Sequence, residues 1–301
     1  MRVLVSGNVN VDLLLGPLSP WPQPGSEVVV EHLQLRVGGA LGNTALALHA
    51  LGVPADYAAN LGDDLFGRWL YEELAAHGCV LSVTPGTTAV TVGLSHPDAQ
   101  RTFVTHEGHF GAFDVEPLWQ QVEVLGPEDI FIICGYFLVP SLRAHATELC
   151  RAVRARGGSV LLDTGWPPEG WTDAVRREVH ELLSTCDYFL PNREELAGLT
   201  EELEIRAALL QLASPVKTIV KLGAVGAGYL DVGKLVDAPA PTVAVVDTVG
   251  AGDAFNAAFV YGLSEGRSWQ QATELAVQAA SQAVSSHPRR YPLPSDLTIP
   301  R

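Results

Sequence analysis

The chain has 301 residues, 47% of them apolar, and sets 19 Lys and Arg against 34 Asp and Glu for a formal net charge of −15. Such a length suits one large α/β domain, residues 1–301, with a small appendage, and the acidic balance argues against nucleic acid or a membrane as a general partner. Cys79, Cys134, Cys150 and Cys186 show no Cys-x-x-Cys spacing, no charged-then-apolar leader precedes Val3, and no run of about 18 apolar residues occurs. Reduced thiols and a cytoplasmic location are the expectation.

In chain order, residues 3–6 read as a buried strand ending in a polar stretch that holds Asn10 and Asp12. Two apart on an extended chain, those side chains share one face and could hydrogen-bond neighbouring hydroxyls; the same spacing also fits an ordinary polar turn. Residues 17–24 are proline-rich, whereas residues 27–37 alternate like strands of a small sheet. Residues 88–94 and 101–105 form a second strand pair, joined by the turn-like residues 96–100. Together, segments of about 12–36 and 88–106 are expected to form a small β-sheet lid. Gly38 and Gly39 then precede an Ala/Leu-rich helix with Asn43 near its start and Gly52 as its C′ residue.

From residue 55 strand-like and helix-like stretches alternate: 57–60, 66–77, 130–134, 142–156, 160–163, 174–185 and 188–190. That pattern predicts a mostly parallel sheet with helices on both faces, whose ligands gather at the strand carboxyl ends. Asn10, Asp163, Asn192 and Asp253 each follow a strand-like run, so one crevice could hold all four. Asn192 with Glu194 and Glu195 reads by itself as a helix N-cap with acidic residues placed to suit the dipole. Residues 216–221 give another strand, ending at Lys221 before a glycine-rich loop with Gly223 and Gly226.

Near the C-terminus, residues 243–246 read as a buried strand and residues 254–263 as a helix. Between them Asp247-Thr248-Val249-Gly250-Ala251-Gly252-Asp253 forms a turn whose small residues open the first helical amides to an anion. Beside an anion hole, Asp253 makes sense as a base that accepts a proton from an attacking hydroxyl; the plainer reading is a helix cap. A final helix over residues 269–285 would pack against this one. No Gly-x-x-x-x-Gly-Lys-Ser/Thr, third Rossmann glycine, His-Glu-x-x-His or Gly-x-Ser-x-Gly is present.

Asp-Thr-x-Gly-Ala-Gly-Asp-x-Phe at 247–255 resembles the second signature of the ribokinase-like (PfkB) family of carbohydrate kinases, and Gly38-Gly39 with Asn43 resembles the first. The resemblance runs nearly the whole length. It implies a ribokinase-like fold, ATP-dependent phosphorylation of a sugar or nucleoside, and a flap that covers the sugar and mediates a homodimer. Gly38, Gly39 and Asn43 would line the sugar pocket with Asn10 and Asp12. Asn192 and Glu195 match an Asn-x-x-Glu element that organises Mg²⁺ through water. Gly223 and Gly226 match the nucleotide loop, with Lys221 facing the ATP phosphates, Gly250, Ala251 and Gly252 as anion hole, and the last helix closing the adenine side.

Three departures touch the substrate. Residues 134–138 lack the Glu of ribokinases, and Asp163-Thr164-Gly165-Trp166-Pro167 lacks the Asn and Arg of many fructokinase-like and ketodeoxygluconate kinases. His287-Pro288-Arg289-Arg290 stands where relatives have a Gly-Ala segment whose carbonyls bind a monovalent cation, so activation by K⁺ is open. Tyr136, Phe137 and Trp166 could cover a sugar ring or stack on a nucleoside base. A catalytically silent scaffold is the alternative from another class, against which the retained Asp253 argues.

Overall fold

The computed structural model describes residues 1–19, 21–96, 101–212, 216–286 and 289–298. Strand β1 (Val3–Gly7) is followed by β2 (Asn10–Gly16), β3 (His32–Gly38) and helix α1 (Ala40–Ala50). Then come β4 (Asp56–Ala58), β5 (Asn60–Gly62), α2 (Leu65–Ala75) and β6 (Ser82–Thr84), leading to β7 (Val90–Ser95) and β8 (Arg101–His106). The helix-strand alternation continues with α3 (Glu116–Glu123), β9 (Ile130–Cys134), α4 (Pro140–Ala155), β10 (Ser159–Asp163), α5 (Asp173–Leu183) and β11 (Tyr188–Phe189). After α6 (Arg193–Thr200), α7 (Ile205–Gln211) and β12 (Lys217–Lys221) come β13 (Gly226–Asp231), β14 (Lys234–Pro239), α8 (Ala251–Ser264) and α9 (Trp269–Ala283).

The main sheet has the order β14-β13-β12-β11-β10-β9-β1-β4; the strands from β12 to β4 are parallel, and β13 and β14 add an antiparallel edge. Its strands are apolar at nearly every position because both faces are covered. Successive residues point to opposite sides. Val3, Val5, Ile130, Ile132 and Leu161 pack against α1, α8 and α9, whereas Leu4, Phe131, Ile133, Val160 and Leu162 pack against α4, α5 and α6. The sheet thus separates two cores.

A second sheet, in the order β3-β2-β7-β8, is the expected lid. Its register aligns Arg36, Asp12, Thr91 and Thr105 in one cross-strand row. The adjacent row is Leu35, Leu13, Val92 and Val104, and it faces the other way. The row at the substrate end of one face is therefore polar, and the matching row on the other face apolar.

Three expectations about elements need correction. Residues 243–246 form no strand: Val245 and Val246 are 57% and 51% exposed, and the segment runs unpaired after Pro241 until the amides of Val246 and Asp247 donate to the Val284 carbonyl. A β-branched apolar run can equally line a pocket wall, which this one does. Residues 27–31 are also not strand, and Val29 is 89% exposed, so the lid strand begins only at His32. Residues 57–60 divide between β4 and β5, which belong to different sheets. The turn expected at 96–100 falls, from 97 on, outside the described residues.

Candidate active site

Glycine at 250 has φ +73°, a left-handed conformation that turns the chain into α8 with no side chain capping the helix. Asp247 ties the turn from behind, its Oδ1 accepting the Val249 amide at 3.0 Å. The Ala251 amide bonds back to the Thr248 carbonyl at 3.3 Å, while those of Gly252 and Asp253 find no acceptor among the described residues. Two free amides at a helix start are what an anion needs.

Asp253 is the third helical residue and partly exposed. Burial, and then the negative charge of Asp163, push its carboxyl up to about 7, against the opposing pull of Lys221, Arg289 and Asn43. Asp163, at the end of β10, takes a hydrogen bond from Lys221 Nζ at 2.7 Å and another from Asn256 Nδ2 at 2.5 Å. Asn256 is one helical turn beyond Asp253. Lys221 leans over the start of α8, its Nζ 3.4 Å from where a Gly252 Cβ would stand. This ammonium is thus anchored beside the open amides, a closer bond than a solvated strand-end lysine makes.

Asn192 and Glu195 form a capping box at the start of α6: the Glu195 amide donates to Asn192 Oδ1 at 2.7 Å and the Asn192 amide to Glu195 Oε2 at 2.9 Å. The helix-cap reading of these two residues is therefore realised. They also face the crevice. Asn192 bridges to Lys221, and burial followed by the Asp163 charge pushes the Glu195 carboxyl up to about 7. Asp163, Asn192 and Glu195 present oxygen donors to one wall, the donor type a hard divalent cation takes, so the residues fit Mg²⁺. No group of three His, Cys, Asp or Glu that could hold a metal occurs among the described residues.

These groups line a cavity of about 700 Å³. Its lining combines Asn192, Lys221 and Asp253 with Ala251, Gly252, Gly223 and Gly226, and with the apolar Val243, Val245, Val277 and Val284.

Asn10, Asp12, Gly38, Gly39 and Asn43 meet beside it at the base of the lid, and all but Gly39 are buried. Asn10 Nδ2 donates to Asp12 Oδ1 at 2.7 Å, so the pair does share a face, and burial raises the Asp12 carboxyl to about 6 despite that hydrogen bond. A Cβ on Gly38 would stand 2.2 Å from Asp12 Oδ1, and one on Gly39 2.4 Å from the Asn8 carbonyl oxygen, which explains why both positions are glycine. Asn43 Oδ1 accepts from Arg289 Nη1 at 2.9 Å and from Tyr291 at 3.1 Å.

Tyr136 belongs elsewhere. Its ring is fully buried in the helical layer and its hydroxyl donates to Glu178 Oε1 at 2.7 Å, so it does not reach the sugar side. Phe137 is buried with it, and of the three aromatic candidates only Trp166 is exposed. Sequence reasoning also overlooked Arg36, whose Nη1 lies 2.5 Å from Asp247 Oδ2. Its signal was an arginine inside a half-buried strand of an acidic chain, two residues before Gly38. Of residues 287–290, His287 and Pro288 lie outside the described set; Arg289 is buried in the site.

A parallel sheet with an amide-lined turn, an anchored lysine and a carboxyl at one crevice has the architecture of a phosphoryl-transfer enzyme. The pfkB family carbohydrate kinase profile matches residues 2–296, and the chain belongs to that family: it is a carbohydrate kinase with a ribokinase-like fold. It is similar to the ribokinase of Arabidopsis thaliana, 27% identical over 94% of this chain and 76% of that protein. The structure of that ribokinase complexed with ribose and ATP matches with a TM-score of 0.78, at 26% identity, over 98% and 95% of the two chains. The aminoimidazole riboside kinase of Salmonella typhimurium is 30% identical over 82% of this chain and 79% of its own. Phosphofructokinase-2 of Escherichia coli, solved in complex with potassium, shares the fold with a TM-score of 0.77 at 20% identity, over 98% and 96% of the chains. Among the described residues no helix is long and apolar enough to cross a membrane.

Proposed function

We propose that this kinase transfers the γ-phosphoryl group of ATP to a hydroxyl of a small sugar, with Asp253 as general base. The observation that carries the reading is Asp253 itself, a partly exposed carboxyl near pKa 7 on the residue that, with Gly252, offers an open helical amide. A base with that affinity can take the proton of an attacking hydroxyl near neutral pH. The amides of Gly252 and Asp253 and the Lys221 ammonium stabilise the charge that develops on the transferred group. Asn10, Asp12 and Asn43 hold the sugar, with Gly38 and Gly39 admitting it close to the backbone, and the Val243 and Val245 wall receives the adenine. Mg²⁺, held through Asn192 and Glu195, neutralises the ATP phosphates.

A sugar acceptor is favoured over a nucleoside because burial of Tyr136 and Phe137 leaves Trp166 as the one exposed aromatic of the three. The enzyme works in the cytoplasm as a homodimer joined through the apolar face of the lid, where Leu33, Leu35 and Val104 are 67%, 39% and 60% exposed. A coupled ADP-release screen over pentoses, hexoses, sugar acids, inositols and nucleosides tests the reading. Turnover only with nucleosides would overturn the sugar assignment, and no turnover with any acceptor would overturn the whole proposal.

A further inference from the structure

The family resemblance brings a monovalent cation to the edge of the phosphate-binding turn, and the described residues beside that turn do not fit one. Asp247, the carboxylate that ties the turn, is buried at 4% exposure. Its Oδ2 faces Arg36 Nη1 at 2.5 Å and Arg289 Nη2 at 3.7 Å. Arg36 comes from lid strand β3 and Arg289 from the segment after α9, and their side chains are 12% and 6% exposed. Arg289 also donates to Asn43 and presses on the open side of the turn, where a Cβ on Gly250 would come within 2.4 Å of its Nη1. A monovalent metal ion needs several oxygen donors. Here Asp247 Oδ1 is taken by the Val249 amide and Oδ2 is faced by two guanidinium heads, which can donate hydrogen bonds but accept none and carry the same sign of charge as the ion.

We propose that Arg289, held by Asp247 and Asn43, is a permanent cation at the phosphoryl-transfer turn, so that this kinase neither binds nor requires a monovalent metal ion. Its Nε and Nη2 are buried without a hydrogen-bonded acceptor among the described residues, and its charge reaches the Asp253 and Asp12 carboxyls, which it pulls down against burial. That charge acts on the phosphoryl group as a bound ion would, but it is covalently fixed. The catalytic part of this inference rests on Gly250 to Asp253 being the anion hole; the absence of a metal-ion site does not.

Two readouts separate those parts. The first is thermal unfolding of the wild-type protein at constant ionic strength, with tetramethylammonium chloride replaced stepwise by KCl or NaCl. A site loaded by the metal ion raises the melting temperature as the ion fills it. The expected shift is under about 1 °C, within the ordinary effect of salt type; a saturable rise specific to K⁺ or Na⁺ overturns the proposal. The second is turnover in the same salt series, which should agree within about twofold, well below what loss of a charge-stabilising group costs. Strong dependence on K⁺ overturns the proposal even if the kinase assignment stands. If no acceptor is phosphorylated in any salt, the functional reading fails while the unfolding series still decides whether a metal ion binds. Arg289→Ala should lower kcat roughly 10- to 100-fold, with partial recovery on adding guanidinium chloride at low concentration, and Arg289→Lys should keep more activity. Full activity of Arg289→Ala in tetramethylammonium overturns the proposal, and the wild-type series stands whether or not that variant folds.

Discussion

A carboxyl with a pKa near 7 divides between two protonation states in neutral solution, and only the ionised one can accept a proton. Turnover should therefore rise with pH through about 7 and level off above it. Asp253→Asn should lose about 10² to 10⁴ in rate, or roughly 3 to 5 kcal/mol of barrier, while calorimetry still finds ATP and sugar bound with near-native affinity. Wild-type turnover in that variant would reduce Asp253 to a helix residue. The same shift bears on stability. In the unfolded chain Asp253 titrates near 3.8, so between about pH 4 and 7 the folded protein holds a proton that the unfolded chain has released. Stability from this group thus falls as pH rises through that window, and Asp253→Asn should raise the melting temperature more at pH 8 than at pH 5. For Glu195, loss of the carboxylate in Glu195→Gln should raise the Mg²⁺ concentration needed for half-maximal rate more than it raises the sugar KM. A collapse of sugar affinity with an unchanged Mg²⁺ profile would remove the metal role. The placement of Asp253 and Lys221 on one cavity was legible because their neighbours form long strings of fixed spacing. Tyr136 was misjudged because a tight turn after β9 directs its ring into the helical layer, and no pattern in residues 134–138 reveals that.

Two glycines at helix starts show how the same residue serves different ends. Gly39, the residue before α1, has φ +80°, and an added Cβ would press into the Asn8 carbonyl and the Val9 Cα at 2.4 and 2.8 Å. Gly39→Ala should therefore cost about 2 to 4 kcal/mol of stability through backbone strain and overlap. Gly252 lies within α8, where a Cβ would meet only the flexible end of Lys221 at 3.4 Å. Gly252→Ala should stay folded, with a melting temperature within a few degrees of wild type, yet lose turnover because the methyl group stands over the amide hole. Equal loss of stability in the two variants, read by thermal unfolding, would contradict this division. Residues 243–246 carry a related lesson. Their composition suits a strand, but a strand also needs a neighbouring edge to pair with, and after β14 the chain has left the sheet.

On the scale of the whole molecule, the lid leaves Leu33, Leu35, Phe103 and Val104 exposed to solvent. Its inner row of Arg36, Asp12 and Thr91 turns toward the substrate side, and its outer row of Leu35, Leu13 and Val92 turns away. Neither the valines at 28–30 nor those at 90–92 offer an open strand edge as a dimer contact, since residues 27–31 are not strand and β7 lies between β2 and β8. The outer face replaces it as the reason to expect a dimer. Light scattering at micromolar concentration should give twice the chain mass, and Leu35→Asp with Val104→Asp should shift it to monomer by placing charge in the apolar contact. A wild-type protein that is monomeric and fully active would end the dimer proposal.

By itself the sequence determined the fold class, the strands that lead to Asp163, Asn192 and Lys221, and the small-residue turn into α8. Each of these depends on local patterning: apolar runs buried on both faces, small residues at a helix start, and a carboxylate where a cap does not need one. Tertiary structure alone decided which charges meet. Asp163 with Lys221, 58 positions apart, and Arg289 with Asn43, 246 apart, are joined by the crossing of strands and the return of the chain after α9, and such pairings leave no periodic trace. The raised affinity of Asp253 for its proton belongs with them, because it is set by burial and by a neighbouring carboxylate 90 residues away in the chain (253 − 163).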